Sequence, residues 1–263
     1  MAERSAIEWT DATFNPWWGC ERVSPACAHC YADTWARRYG HDLWTPDRSR
    51  RFFGDAHWRI PLKLNRSAEA AGSPLKVFCA SMADVFEAHP ELDEPRQRLW
   101  SLIEATPWLC WQLLTKRPEN VAEMVPWGDP WPQNVWIGVS IENTAFTFRA
   151  DLLRELPATV RFISAEPVLA SLFSPARRRR PLRLEGIHWV IAGGESGPRC
   201  RPTNVEWLRE LRGACVSNGV AFFLKQLGGH PDKRGHEKAV LDGIRWTELP
   251  AFPSPASLTE VAA

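Results

Sequence analysis

The chain has 263 residues, of which 44% are hydrophobic and 24% are charged, and its formal net charge at pH 7 is +1. This length and composition allow a sizeable core within one barrel-sized domain, and they exclude disorder over the whole chain. The near-zero net charge excludes a global electrostatic field for nucleic acid or an anionic membrane, so either partner would have to be met by a local patch.

Residues 1–10 are polar and charged and contain no apolar segment of the kind found in signal peptides. No stretch of the sequence approaches the ~18 apolar residues of a membrane-spanning helix. We therefore expect a cytoplasmic protein with no membrane partner, in which the seven cysteines stay reduced. Clustered cysteines in such a protein are better candidates for metal ligands or catalytic groups than for disulfides.

Three cysteines, Cys20, Cys27 and Cys30, cluster after the first predicted strand, which covers residues 7–14. Ser24 and Pro25 precede an Ala-rich run to residue 39, which predicts a helix with Cys27 and Cys30 on one face of its first turn. Cys20 would approach from the preceding loop, and the helix N-terminus would help to keep the thiolates ionised. Electron-transfer clusters are held by four thiolates. Three cysteines therefore predict an iron–sulphur cluster in which one iron has no protein ligand and is open to a cofactor or substrate.

A zinc site is the first alternative, with His29, His41 or His57 as the fourth ligand. None of these histidines has the paired spacing of structural zinc sites, and the sequence favours the cluster. The other alternative, three unconnected buried cysteines, is disfavoured by the clustering itself. Four cysteines remain. Cys79, Cys110 and Cys215 lie in apolar runs and are predicted core residues, whereas Cys200 is an unassigned thiol.

Downstream of the cysteines, six short apolar runs bounded by turn residues are predicted as buried parallel strands. They cover residues 76–80, 109–114, 135–139, 160–163, 188–192 and 220–224. Helices are predicted between them over residues 94–105, 143–155 and 204–217. With the strand at 7–14 the count is about seven, which predicts an α/β fold and a partial, open TIM-like β/α barrel.

We expect one domain over residues 1–249, with a flexible tail over residues 250–263. Four consecutive arginines at 177–180 are predicted to lie in a solvated loop, with a phosphate contact as the alternative. The glycine-rich, polar segment at 228–243 is predicted as a loop over the barrel.

Polar residues follow each of the six predicted strands, and in a parallel barrel these strand ends form one rim, where such folds place their chemistry. Hydroxyl groups there can be explained as helix N-caps. Charged groups cannot, because charge at the end of a buried strand is costly unless it is paired or used. The rim candidates are Ser81, Asp84, Lys116, Ser140, Glu142, Ser164, Glu166, Gly193, Gly194, Glu195 and Lys225.

The cysteine segment resembles that of the radical S-adenosylmethionine (SAM) superfamily, including an aromatic residue, His29, just before the last cysteine. Six residues separate Cys20 from Cys27 where three are usual, and some superfamily members have a longer first gap. Over residues 7–247 the chain resembles an uncharacterised, phage-associated radical-SAM-like family. The stretches that carry this resemblance are IEWTDAT (7–13), NP (15–16), TKRP (115–118), WIGVS (136–140), ISAEP (163–167), GGESG (193–197) and KQ (225–226).

The resemblance implies a barrel of the radical SAM type, with a [4Fe–4S] cluster held by the three cysteines at its mouth. SAM would bind the open iron through its amino and carboxylate groups. Reduction by an external electron donor would cleave SAM into methionine and a 5′-deoxyadenosyl radical, which takes a hydrogen atom from the substrate.

The superfamily also has a polar motif after the second strand that contacts the amino group of SAM, and Ser81 and Asp84 hold that place here. The later cofactor-binding candidates are Ser140, Ser164, Gly193 and Gly194. The two glycines would let the backbone approach a ligand closely. The candidates for the carboxylate or ribose of SAM, or for catalysis on the substrate, are Lys116, Glu142, Glu166, Glu195 and Lys225.

A nucleic-acid base or nucleotide is the first candidate for the substrate, from the phage association and the arginine run. The fifteen tryptophans fit base stacking, and they fit a large core equally well. Two other functions remain open: a zinc-stabilised nucleic-acid-binding module without catalysis, and a non-catalytic iron–sulphur redox sensor. The charged rim favours catalysis, because neither alternative needs carboxylates and lysines around one mouth.

Overall fold

The computed structural model describes residues 4–174 and 180–251. Most of the arginine run at 177–180 and of the tail at 250–263 therefore lies outside the described residues. The strands are β1 (Ala12–Thr13), β2 (Trp17–Trp18), β3 (Arg51–Phe52), β4 (Leu75–Cys79), β5 (Leu109–Thr115), β6 (Val135–Ser140), β7 (Val160–Ala165), β8 (Trp189–Gly193), β9 (Ala221–Gln226), β10 (Val240–Leu241) and β11 (Ile244–Arg245). The α-helices are α1 (Tyr31–Arg38), α2 (Asp55–Ala71), α3 (Asp93–Glu104), α4 (Val121–Met124), α5 (Phe148–Arg154) and α6 (Val205–Asn218).

Seven parallel strands form one sheet that curls into a half-barrel. Their order follows the chain, β1-β4-β5-β6-β7-β8-β9, so that β1 and β9 are the two edges. An α-helix lies in every connection between neighbouring strands of this sheet except that from β7 to β8, whose described residues contain no helix. The predicted α/β class and the open barrel of about seven parallel strands are confirmed. Two antiparallel pairs lie outside this sheet: β2 with β3, and β10 with β11.

Each of the six predicted apolar runs forms a strand whose ends lie within two residues of the prediction. The first predicted strand, at 7–14, is wrong in extent, because residues 7–9 form turns and only Ala12 and Thr13 pair with β4. Helix α2 was not predicted: it contains Pro61, a residue type that normally ends a helix. Among the described helices, none is both long and apolar enough to cross a membrane.

The two faces of the sheet bury different side chains, because successive residues of a strand point to opposite sides. The outer face packs aliphatic residues such as Val77 and Ile137 against the helices. The inner face carries an aromatic layer at the amino ends of the strands, made by Trp136, Phe162, Trp189 and Phe223 together with Trp9, Phe78, Cys110, Val160 and Ile191. We call this layer the aromatic floor. Two residues beyond Trp136 in β6, a side chain on Gly138 would overlap the ring of Phe162, which covers that position.

Candidate functional site

A cavity of about 540 Å³ opens above the aromatic floor, a size typical of small-molecule sites. Its wall is formed by the cysteine segment on one side and by the carboxyl ends of the parallel strands on the other. The predicted residues that line it are Cys20, Cys27, Cys30, Ser81, Asp84, Lys116, Ser140, Ser164, Glu166, Gly194, Glu195 and Lys225. The structure thus brings the three cysteines and most of the predicted rim together around one cavity.

Two predicted residues, Glu142 and Gly193, are not among those that line the cavity. Glu142 is buried, and its Oε2 accepts a hydrogen bond of 3.3 Å from Nη1 of Arg149. The neighbouring Gly194 does line the cavity, but a side chain there would overlap the carbonyl oxygen of Leu227. The close approach that Gly194 permits is therefore between two segments of the chain itself.

The three cysteines are half-buried free thiols held on a segment that we call the cysteine loop (residues 19–31). The predicted continuous helix is wrong: a 3-10 turn (Pro25–Cys27) ends at Cys27, and α1 begins only after Cys30. Cys27 and Cys30 therefore do not share a helical turn. Burial raises the pKa of the Cys20 and Cys30 thiols. At Cys30 the backbone N–H groups of residues 32 and 33, at the start of α1, lower the pKa as predicted for a helix N-terminus, but burial outweighs them.

Both ends of the cysteine loop are fixed to the segments that follow β4 and β5. Gly19 donates its backbone N–H to Met82, and the Tyr31 hydroxyl donates to the carbonyl oxygen of Ser81 at 2.7 Å. Arg117 donates from Nη2 to the carbonyl oxygen of Glu21 at 3.0 Å. These bonds connect residues far apart in sequence, so the position of the loop is set by the barrel.

The middle of the cysteine loop is fixed to the opposite side of the mouth, beyond β8. Nδ1 of His29 lies 3.1 Å from Oε2 of Glu195, and Arg201 donates from Nη2 to the carbonyl oxygen of Pro25 at 3.1 Å. Arg201 also pairs with Glu195 through Nη2 and Oε1 at 2.5 Å. Burial opposes ionisation of Glu195, but hydrogen bonds from Arg201 and His29 outweigh it and lower the pKa of this carboxyl group. We call His29, Glu195 and Arg201 the clasp.

A buried charge cluster lies under Cys20. Nη1 of Arg117 is 3.6 Å from Sγ of Cys20 and 3.2 Å from Oδ2 of Asp84, and the buried Arg50–Glu87 pair is adjacent. Asp84 also accepts hydrogen bonds from the Thr115 hydroxyl and from the backbone of residues 86 and 116. Both oxygens of Asp84 are thus used by the chain, and the residue positions Arg117 and the backbone that carries Lys116.

Two lysines reach the cavity from the strand ends. Nζ of Lys225 donates to both oxygens of Glu166, at 2.7 and 2.8 Å. Nζ of Lys116 donates to the hydroxyl of Ser140 at 3.3 Å, and no carboxylate in the described ranges forms an ion pair with it. Lys116 is therefore available to a bound anion, as is Lys233, which lines the cavity and forms no ion pair within the same ranges.

Trp9 supplies a further polar group that the rim prediction missed. It is 3% exposed, lines the cavity, and its Nε1–H has no acceptor among the described residues. An unpaired buried donor is costly, so this indole points to an acceptor on a bound molecule. Trp9 stands in the IEWTDAT stretch, where it was not singled out, and Arg117 stands in TKRP, where only Lys116 was selected.

Across residues 4–174 and 180–251, no three His, Cys, Asp or Glu side chains are grouped so that they could hold a single metal ion. The histidines considered for zinc are engaged elsewhere. His29 belongs to the clasp, His41 packs against the ring of Trp18, and Nε2 of His57 lies 2.8 Å from the carbonyl oxygen of Asn15.

A family model described as "Protein of unknown function (DUF5131)" matches residues 4–250. No curated protein matches the chain. Because the matched residues include the cysteine loop and every strand of the half-barrel, the chain belongs to the DUF5131 family, whose function is unknown.

Proposed function

We propose that this protein is an iron–sulphur-dependent radical SAM enzyme that acts on a nucleic-acid base or nucleotide. One observation carries the proposal: the cysteine loop places three free thiols on the wall of a cavity that also holds charged groups from five strand ends. When bound, a [4Fe–4S] cluster with one open iron supplies the electron that cleaves SAM into methionine and a 5′-deoxyadenosyl radical. An external electron donor provides that electron.

The donor set fits an iron–sulphur cluster better than zinc. A structural zinc ion needs four ligands around one point, and no such group of even three is present in the described part of the chain. A four-iron cluster binds each thiolate at a different iron, so its cysteines stand farther apart. Cys20, Cys27 and Cys30 would be the ligands, and the guanidinium of Arg117 beside Cys20 would favour its thiolate.

The remaining cavity residues would bind and orient the organic ligands. Lys116 can receive the carboxylate of SAM, and the Trp9 indole can donate to an acceptor on SAM or on the substrate. The Lys225–Glu166 pair presents a carboxylate for ribose hydroxyl groups. The aromatic floor closes the cavity from below and excludes water there.

The test is anaerobic reconstitution with iron and sulphide, followed by reduction in the presence of SAM. We expect a brown protein with about four irons per chain that forms 5′-deoxyadenosine and methionine. Cys27→Ser should lose both the colour and the product. The matched control is Cys200→Ser, which removes another half-buried thiol that does not line the cavity and should keep both.

The alternatives give different outcomes in the same experiment. A colourless protein that carries one zinc ion would overturn the proposal in favour of a zinc-stabilised binding module. A brown protein that leaves SAM intact, with or without a nucleotide substrate, would favour the redox sensor.

A further inference from the structure

A second, shallower groove lies on the outer side of the cysteine loop. Its volume is about 290 Å³. Three of its residues, His29, Tyr31 and Ser196, also line the main cavity, so the two spaces share part of their wall. The residues that line the groove are His29, Tyr31, Thr34, Trp35, Arg38, Ser196, Gly197, Pro198 and Arg199.

Helix α1 presents exposed aromatic side chains along this groove. Tyr31 and Trp35 line it at four-residue spacing on one face of the helix, and Tyr39, the C-cap residue of α1, follows at the same spacing without lining the groove. They are 56%, 39% and 62% exposed. The ring of Trp35 lies 5.0 Å from that of Trp18 and 4.5 Å from that of Tyr39, so its orientation is fixed by neighbours while part of its surface stays open.

The groove is positively charged within a chain that is nearly neutral overall. Arg38 and Arg199 are exposed, and within the described ranges neither forms an ion pair or a side-chain hydrogen bond. Among the residues that the structure describes, no Asp or Glu lines the groove. The nearest acidic residue of α1, Asp33, is already paired with Arg22 and Arg37. Two guanidinium groups are therefore available to anions.

We propose that this groove binds single-stranded nucleic acid, with bases stacked on Tyr31 and Trp35 and phosphates on Arg38 and Arg199. Aromatic platforms beside uncompensated cations are how proteins hold single strands without reading their sequence. Aromatic and arginine side chains also occur in protein interfaces, but the two unpaired guanidinium groups, with no acidic side chain among the described lining residues, match a polyanion better. Since Tyr31 lines both the groove and the cavity, a bound strand would place a neighbouring nucleotide beside the cavity wall. This last step rests on the proposed function, whereas binding in the groove does not.

The test is fluorescence anisotropy with labelled single strands of about 12 nucleotides, a length within the usual site sizes, as DNA and as RNA. We expect Arg38→Ala/Arg199→Ala to bind about tenfold or more weakly, and the slope of log affinity against log salt to fall by about 1.4, for two lost phosphate contacts. Trp35→Ala should weaken binding about fivefold or more through lost stacking. Arg66→Ala, an exposed arginine on α2, is the matched control and should bind like the unmodified protein.

Three results would overturn the proposal: no binding of either strand at about 50 mM salt, equal affinity in the groove variants and the control, or duplex bound as tightly as single strands. Thermal unfolding of each variant shows whether a loss of binding comes from a loss of fold. Cys27→Ser separates the two proposals, because it should keep oligonucleotide binding while it loses 5′-deoxyadenosine formation. If the unmodified protein binds single strands but forms no 5′-deoxyadenosine, the groove stands and the enzymatic proposal falls.

Discussion

Glu195 carries its charge at the point where the cysteine loop meets the far side of the cavity. Its carboxylate accepts hydrogen bonds from the backbone and guanidinium of Arg201, and it lies beside His29. Its catalytic role stays a prediction, and its contacts with Arg201 and His29 add a positioning role. It links the cysteine loop to the segment after β8.

Replacing the carboxylate tests this role through its dependence on pH. Because the pKa of Glu195 is lowered in the fold, its contribution to stability is present above the unfolded value of 4.5 and is lost as the pH falls below it. We expect Glu195→Gln to lower the free energy of unfolding by about 1–3 kcal/mol at neutral pH, since Arg201 loses its partner. Urea denaturation at pH 7 and at about pH 4 measures both values, and the difference between variant and unmodified protein should shrink at the lower pH.

Glu206→Gln is the control for this experiment, because Glu206 is an exposed carboxylate on α6 and should contribute little at either pH. If Glu195→Gln destabilises the protein equally at both pH values, the ionised carboxylate of Glu195 does not stabilise the clasp.

The cysteines and most rim residues could be predicted because their signals are local. Three cysteines close in sequence predict a shared site, and a polar residue after a buried strand predicts a rim position. The residues that hold the site together could not be predicted in this way. Cys20 and Arg117 are 97 positions apart, and His29 and Glu195 are 166 positions apart. The sequence around either residue of such a pair does not indicate which distant residue it contacts.

At the scale of elements, the strands were predictable because a buried parallel strand is a short apolar run with turn residues at each end. The elements that were predicted wrongly depend on tertiary packing. Pro61 is buried within α2, where packing outweighs its tendency to end a helix. The expected helix through Cys27 and Cys30 is interrupted, and the chain there is fixed by contacts with both sides of the barrel.

Strand β6 carries a test of the aromatic floor. We expect Gly138→Ala to lower the free energy of unfolding by about 1–3 kcal/mol, because the added methyl group would overlap the ring of Phe162. Urea denaturation measures the loss. In a Phe162→Leu background the same substitution should cost less, which a double-mutant cycle will show as a coupling energy.

Gly128→Ala is the matched control for this substitution. Gly128 is exposed, and an added Cβ would meet nothing within 4 Å. The change should stay within about 0.5 kcal/mol of the unmodified protein. Equal costs at the two glycines, or no coupling with Phe162, would show that the ring does not cover Gly138.

At the scale of the whole molecule, the cysteine loop joins the two sides of the half-barrel. It is hydrogen-bonded to the ends of β4 and β5 on one side and to the clasp on the other. A group bound by all three cysteines would therefore stabilise the native barrel and not the loop alone, because the unfolded chain does not hold these ligands together.

Thermal unfolding of the protein before and after anaerobic loading with iron and sulphide measures this linkage. Binding at about a hundredfold excess over the dissociation constant is worth about 2.7 kcal/mol, which corresponds to roughly 5–10 °C in Tm for a chain of this size. Cys27→Ser should show no increase, whereas Cys200→Ser should show the full one. Equal midpoints with and without loading would mean that the cysteines hold no group that prefers the folded state.

The indoles at the cavity wall give the protein an optical property of its own. Trp9 and Trp44 are both buried and both line the cavity. A coloured group bound there would accept excitation energy from these indoles and dim their ultraviolet emission, whereas a colourless ion would not. Binding of a coloured group in the cavity can therefore be followed by the loss of tryptophan fluorescence. Comparing Trp9→Phe with Trp44→Phe would show which of the two indoles the bound group lies closer to.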